Sequence, residues 1–294
     1  MTKFIDLFAG IGGFHLAFKS LGAECVFVCE NDKFARETYI ANHGYQCVAE
    51  VYEKGNFAGY LGTNFPKDIN NVDISQIPNF DILCAGFPCQ SFSVIGKSKG
   101  FDCEKNGNLF FRITDILKEK QPEAFFLENV RGLLSNDEGK TFETIKQTIR
   151  DLGYSFYWKL IKASDHGLPQ FRPRVYMVGF KDKSIDFTFP EPVSLKFTMS
   201  DVLGGNCTRD VGYTVRVSGR GTLINDRRNW DGYIVDGLER RLTVEETKKM
   251  MGFADNFTFP VSDTQAMKQL GNSVAIDVIQ VIGKQIMKCL NERK

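Results

Sequence analysis

The segment Phe4-Ile5-Asp6-Leu7-Phe8-Ala9-Gly10-Ile11-Gly12-Gly13 decides the fold. An apolar run over Lys3–Phe8 ends in a glycine-rich turn, and a helical pattern through Leu16, Phe18 and Leu21 follows. Strand, tight turn and helix make the first half of a βαβ unit. The alternation then continues. Cys25–Cys29 reads as a strand ending at Glu30, and Asp32–Ala41 as a helix capped by Asn31 or Asp32. Asp81–Ala85 reads as a strand broken by Gly86-Phe87-Pro88-Cys89, Leu109–Glu119 as a helix, and Ala124–Leu127 as a strand ending at Glu128-Asn129. Thr141–Leu152 is helical in pattern, and Tyr154–Ile161 and Arg174–Phe180 are strand-like. This order predicts an α/β fold with a mainly parallel sheet covered by helices, whose ligands sit beyond the carboxyl ends of the strands. The glycine turn, Glu30, the Pro88-Cys89 turn and Glu128 all fall at strand ends, so they are expected on one rim.

The stretch Gly44–Asn71 reads as a loop-rich insertion with glycines at 55, 59 and 62. After Phe189-Pro190-Glu191-Pro192 the composition changes. Between Asp201 and Arg241 lie seven arginines (209, 216, 220, 227, 228, 240, 241) and no lysine, with glycines throughout. That segment is too short for a core of its own and is expected to be a mostly β or irregular appendage. Helical periodicity returns over Val244–Met251, Thr264–Gln269 and Ala275–Leu290. The expected division is a main domain over residues 1–188, a small domain over 189–243, and a return to the main domain over 244–294.

The 294 residues carry 37 Lys+Arg against 36 Asp+Glu, a formal charge of +1, and are 43% hydrophobic and 25% charged. Those values exclude a disordered chain, a collagen-like chain and a disulfide-dense mini-protein. They argue against a uniformly basic nucleic-acid binder while permitting a local basic surface. No run reaches the roughly 18–20 apolar residues that span a bilayer. The chain opens on a strand-like segment and not on a signal-peptide pattern, so a cytoplasmic location with reduced thiols is expected. None of the eight cysteines forms a Cys-x-x-Cys pair and the three histidines lack ligand spacing, so no metal site is expected.

Five segments carry chemistry. Glycines at 10, 12 and 13 let the backbone turn and approach a ligand closely, and Glu30 at the next strand end suits a ribose diol. The G-x-G-x-x-G spacing is not met, because Phe14-His15 follow the glycines. That disfavours a dinucleotide and favours a nucleoside cofactor without a pyrophosphate, such as S-adenosylmethionine. Cys89, held after a rigid proline at a strand end, is a candidate nucleophile, whereas Cys84 lies inside the strand and reads as core. Glu128 abuts the apolar run Ala124–Leu127, so desolvation should raise its pKa and let it donate to a ring nitrogen. Arg172 and Arg174, two apart in an extended segment, point to one side and can anchor a phosphate or a carboxylate. In Gly271-Asn272-Ser273-Val274, Asn272 or Ser273 is placed to cap the final helix.

Together these segments resemble the bacterial DNA (cytosine-5-)-methyltransferases. The order is that family's: Phe8–Gly13, Pro88-Cys89-Gln90, Glu128-Asn129-Val130, Gln170–Arg174, Arg241-Leu242-Thr243 and Gly271–Val274, covering nearly the whole chain. The resemblance implies a Rossmann-like S-adenosylmethionine-dependent sheet with a small target-recognition domain. It implies methyl transfer to C5 of cytosine in a short double-stranded DNA sequence, through a Cys89–C6 adduct on a flipped-out base, with protection against a cognate restriction endonuclease. Phe8, Gly10, Ile11, Gly12, Gly13, Glu30, Asn31, Pro88, Leu109, Asn272, Ser273 and Val274 would then hold the cofactor. An Asp-Ile pair belongs to the same pocket. Asp68-Ile69 and Asp73-Ile74 compete for that place, and the register thirteen residues before Asp81 favours Asp68 with Ile69. Two positions depart from the family pattern, with Lys67 where glycine is usual and Asn31 where a large apolar or aromatic residue is common. Catalysis would fall to Cys89, Glu128, Arg174 and Arg172.

The loop Ser91–Cys103 resembles the family's active-site loop, with Gln90, Ser93 and Lys97 as DNA contacts. Thr214 would brace the flipped nucleotide. Arg216, Arg220, Arg227 and Arg228 would contact DNA, some on guanine edges and some on phosphates. A monomer is expected, since a palindromic site can be methylated one strand at a time. Three other readings compete: a tRNA cytosine-5 methyltransferase, a non-catalytic DNA-binding relic, and a small-molecule methyltransferase or dehydrogenase. The arginine-only segment favours duplex readout over the first and third, and the presence of Cys89, Glu128 and Arg174 opposes the second.

Overall fold

The computed structural model describes residues 1–44, 68–88 and 109–292. Most of the expected 44–71 insertion, together with Cys89, Gln90, Ser93, Lys97 and the loop around them, lies outside the described residues.

Six strands form one sheet. They are β1 (Lys3–Leu7), β2 (Glu24–Cys29), β3 (Ile82–Gly86), β4 (Ala124–Val130), β5 (Tyr157–Lys162) and β6 (Pro173–Phe180), in the order β2-β1-β3-β4-β6-β5. The β2-β1-β3-β4 half is parallel, and β6 returns antiparallel to β4 with β5 antiparallel at the edge. The central strands β3 and β4 are apolar on both faces and buried on both, as a sheet covered by helices on each side requires. The strand expected from Tyr154 starts at Tyr157; Tyr154 packs inward instead and donates its hydroxyl to the Pro122 carbonyl.

One face of the sheet is covered by α1 (Gly13–Ser20) and the last helix, α8 (Ile276–Asn291). Phe4, Phe14, Phe18 and Phe126 pack there against Ile279, Ile282 and Ile286. The other face is covered by α3 (Leu109–Lys120) and α4 (Lys140–Asp151), whose Ile113, Leu117, Ile145 and Ile149 meet Leu83, Phe125 and Leu127. Between β2 and the first undescribed stretch lies α2 (Lys33–His43), N-capped by Asp32, whose carboxylate accepts from the Ala35 amide. Of the two caps offered by the sequence, Asp32 is therefore the one used.

Residues 189–243 contain a one-turn helix, α5 (Met199–Leu203), and a single hairpin, β7 (Gly232–Val235) with β8 (Leu238–Arg241). The remainder is irregular, as half of the expectation had it. Its shape is held by side chains bonding to backbone. Buried Asp231 accepts from the Gly221 amide and from Arg241, and Trp230 donates to the Ser218 carbonyl. Asn229 donates to Ile224 and Gly232. Met199, Trp230 and Tyr233 are buried in the same cluster as Phe126 and Tyr176, so this segment shares the main core.

The C-terminal part holds α6 (Val244–Met250), α7 (Asp263–Asn272) and α8. Here the sequence reading is corrected. Asn272 is the last residue of α7 and Ser273 follows it as C-cap, while α8 starts after Ala275 with no side-chain cap. The buried carbonyls of Gly271 and Ser273 are bonded to Arg172, and that fixes the break between the two helices.

Candidate active site

The carboxyl ends of β1, β2, β3 and β4 open into one cavity of about 620 Å³. Phe8, Gly10, Ile11, Glu30, Asn31, Asp68, Ile69, Pro88, Leu109, Glu128, Arg172, Arg174 and Asn272 all line it, so the shared rim read from strand ends is present. The chain leaves β1 through Phe8 at φ 56° and Gly10 at φ 57°. A left-handed phenylalanine is strained backbone at a strand end. The turn aims the Gly10 amide at Glu30 Oε2, 2.7 Å away, while Glu30 Oε1 accepts from the Asp32 amide at 2.7 Å. Burial nevertheless raises the Glu30 pKa.

Gly12, Gly13, Ser273 and Val274 do not line the cavity. Gly12 sits at φ 85°, and a Cβ there would lie 2.2 Å from His43 Nε2. One on Gly13 would lie 2.5 Å from Val274 Cγ2 and 3.1 Å from Ser273 Oγ. These four residues pack α1 against α2 and against the α7–α8 junction, and so hold the turn from behind. Asp68 and Ile69 reach the cavity, whereas Asp73 caps a short 3-10 turn at the surface, where its bonds to Ser75 lower its pKa.

Beyond β3 the chain reaches Pro88. Buried Asn129, at the end of β4, donates its side-chain amide to the Phe87 carbonyl at 2.9 Å and so fixes the backbone just before the Pro-Cys turn. Next to it Glu128 is buried, with Arg174 Nε 2.9 Å from its Oε1. The β4–β6 register pairs Glu128 with Tyr176 and Val130 with Arg174. Desolvation raises the Glu128 pKa, and the charges of Arg174 and Arg172 oppose that rise without cancelling it. The pair therefore combines a carboxyl that holds its proton more tightly than usual with a guanidinium that fixes its orientation.

Arg172 and Arg174 face the same cavity, but their engagements differ. Arg172 is fully buried and donates to the carbonyls of Val215, Gly271 and Ser273 at 3.0, 3.0 and 2.6 Å. It clasps the small region to the α7–α8 junction.

Thr214 donates to the Phe171 carbonyl. Arg216 and Arg227 are exposed, Arg228 is paired with Asp226 at 2.7 Å, and Arg220 lies 3.9 Å from Asp231. Their side chains are thus not equally available.

The sequence reading missed Phe34, Val217, Gln265, Lys268 and Gln269, all on the cavity wall. Four of the α7 residues on the wall, at 265, 268, 269 and 272, follow helical spacing back from Asn272. Placing Asn272 before a helix instead of at the end of one hid that face.

A match to the C-5 cytosine-specific DNA methylase family covers residues 2–216 and 206–288. The chain is 38% identical to type II methyltransferase M.HhaI of Haemophilus parahaemolyticus, over 98% of this chain and 95% of that protein. It is 38% identical to type II methyltransferase M.NlaX of Neisseria lactamica, over 99% and 98% respectively. The fold superposes on Spodoptera frugiperda DNMT2 with a TM-score of 0.67 at 19% identity, over 99% of this chain and all of that one. Matches of this length, on a chain whose strand ends gather Glu30, Glu128 and Arg174 around one cavity, establish that the protein belongs to the C-5 cytosine-specific DNA methylase family.

Proposed function

We propose that the protein transfers a methyl group from S-adenosylmethionine to C5 of a flipped-out cytosine in a short double-stranded DNA sequence, using Cys89 as nucleophile. The observation that carries the reading is the buried Glu128–Arg174 pair, set in the same cavity as the Glu30 carboxylate and directly beside the turn that leads into Cys89. The cavity size is in the range of small-molecule sites. Its wall chemistry fits the donor: Glu30 for the ribose hydroxyls, Asp68 for an exocyclic amine, and Phe8, Ile69 and Leu109 for purine and thioether surface. Bound there, S-adenosylmethionine supplies an electrophilic sulfonium methyl.

The chain's own residues do the rest. Cytosine C5 is a poor nucleophile until a group adds at C6. Cys89 thiolate forms the C6–S bond, and the C5–C6 electron pair is pushed toward an enamine. Glu128, protonated and oriented by Arg174, donates to N3 and stabilises the developing charge. After C5 has taken the methyl group, its proton leaves to solvent, the C6–S bond breaks, and the pair returns to sulfur. C5 and C6 are shielded in a duplex, so the base leaves the stack at a cost of a few kcal/mol, roughly. Residues 189–243, with Arg216 and Arg227 exposed, would read the target. The cellular role would be protection of DNA from a restriction endonuclease of the same specificity, by a cytoplasmic monomer.

The test is to incubate protein with methyl-labelled donor and unmethylated plasmid, then map 5-methylcytosine by conversion sequencing. Methyl groups at one recurring short sequence are expected. Cys89→Ala should abolish transfer and leave donor binding within about twofold. Transfer by that variant would refute the nucleophile, and label in tRNA but not plasmid would refute the DNA substrate.

A further inference from the structure

We propose that Arg112 sets the preference for adenine in the methyl donor, by fixing the turn that presents Asp68 to the exocyclic amine; this rests on the donor and the Asp68 contact assigned above. Asp68 and Ile69 reach the cavity at the start of a three-residue 3-10 turn, Ile69–Asn71. The bond that closes this turn, from the Val72 amide to the Ile69 carbonyl, is 3.3 Å long, so the turn has little strength of its own. Support comes from α3. Arg112 Nε donates to the Ile69 carbonyl at 3.0 Å, and Nη2 of the same guanidinium donates to the Val72 carbonyl. Its third nitrogen, Nη1, lies 3.8 Å from Asp115 Oδ2, one turn along α3. Two bonds from one planar group, to carbonyls three residues apart, fix both the place and the tilt of the turn.

The two oxygens of Asp68 have different work. Oδ1 accepts from the Asn70 amide at 3.0 Å, which holds the side chain to the turn. Oδ2 makes no hydrogen bond among the described residues. Asp68 stands near Glu30: burial first, then the charges of Glu30 and Asp68, push the Cys29 thiol between them up to about 12. With the ribose at Glu30, the base edge falls toward Asp68 Oδ2. A carboxylate oxygen accepts from an amine and repels a carbonyl, so its position separates adenine from the deaminated base. Such a charge-assisted bond depends on alignment, and Arg112 supplies the alignment through the turn. Leu109, one turn earlier on the same face of α3, lines the cavity, whereas Arg112 does not. Arg112 is therefore a positioning residue, acting on the donor through Asp68.

The test uses the whole protein and two ligands that differ at one edge of the base: S-adenosylhomocysteine, which carries the amine, and S-inosylhomocysteine, which carries a carbonyl in its place. Calorimetry should find the wild type favouring S-adenosylhomocysteine by about tenfold or more, the difference expected for one hydrogen bond to a charged group. Arg112→Met keeps the apolar stem and removes the donors. It should cut that preference to within about threefold, chiefly by weakening S-adenosylhomocysteine. Arg112→Lys, whose ammonium cannot span both carbonyls, should fall between the two, and it carries the comparison if the methionine variant does not fold. Equal weakening of both ligands would overturn the proposal, since a general loosening of the fold affects both alike. So would an unchanged preference in the two variants. A wild type that binds both ligands equally would refute the Asp68 contact and the proposal with it. Wild-type protein binding neither ligand would refute the donor itself, a failure distinct from the loss of base preference alone.

Discussion

Glu128 is the residue where two opposing effects can be weighed directly. Burial favours its neutral form, the guanidinium at 2.9 Å favours its charged form, and burial prevails. Because its proton is held above the ordinary value of 4.5, the donating form persists at higher pH than in a free glutamate and then declines as pH rises further. A thiol nucleophile gains reactivity as pH rises, so a raw pH profile would mix two opposite effects. The ratio of wild-type to Glu128→Gln single-turnover rates removes the shared cysteine contribution. That ratio should be about 10²–10⁴ where Glu128 is protonated and should fall as pH rises. A ratio constant with pH would show that the proton of Glu128 takes no part. The same shift has a stability consequence. The folded state binds this proton more tightly than the unfolded chain, so its stabilising contribution is complete below pH 4.5 and is lost as pH rises through the raised folded value. Wild type should therefore lose stability relative to Glu128→Gln over that rise, as denaturant unfolding at successive pH values would record.

At the scale of the element, the turn after β1 assigns different work to two glycines that the sequence presents alike. Gly10 and Gly12 both have left-handed φ, but a Cβ on Gly10 meets nothing within 4 Å, whereas one on Gly12 runs into His43. His43 has little room to yield, since its ring stacks on His15 at 4.3 Å and packs on Tyr39. Gly10→Ala should cost about 1 kcal/mol, the backbone penalty alone. Gly12→Ala should cost about 2–4 kcal/mol once overpacking is added. Urea unfolding of the two variants checks the order, and equal losses would show that His43 moves aside. The strands and their ends were legible because apolar runs stop sharply at glycine, proline or a carboxylate, and strand-end position then put Glu30, Glu128 and Pro88 around one cavity. The α7 wall was not legible. Its spacing became readable only after Asn272 was seen to end a helix, and what ends it is Arg172, some 99 residues away in sequence. Nor could the sequence separate Arg172 from Arg174, because their difference lies in tertiary partners.

In the whole molecule, the small region shares the main core, and Arg172 ties it to the α7–α8 junction through three buried bonds. Arg172→Ala would leave three buried carbonyls without donors, and it should destabilise the protein by about 3 kcal/mol or more. Lysine should not rescue it, since one ammonium does not reproduce the guanidinium fork; thermal unfolding of both variants tests this. The charge balance of +1 bears on DNA binding in the same way, because it leaves affinity to local cations and not to a general field. Those cations differ in what they have to give up. Arg228 already holds Asp226 through two bonds, at 3.1 and 2.7 Å, so binding a phosphate would mean releasing or sharing that partner. Arg227 is exposed and makes no ion pair among the described residues. Each phosphate contact releases counterions, so losing one should flatten the slope of log affinity against log salt by about 0.9. Arg227→Ala should reduce the slope by roughly that amount on any duplex if Arg227 binds a phosphate. If Arg227 reads a guanine instead, the slope should hardly change, and affinity should fall on the target sequence alone by about 1–3 kcal/mol. Arg228→Ala should change either quantity less than Arg227→Ala does. A larger effect at Arg228 would mean that the Asp226 pair opens on DNA, and that the free arrangement of this loop is not the one that binds.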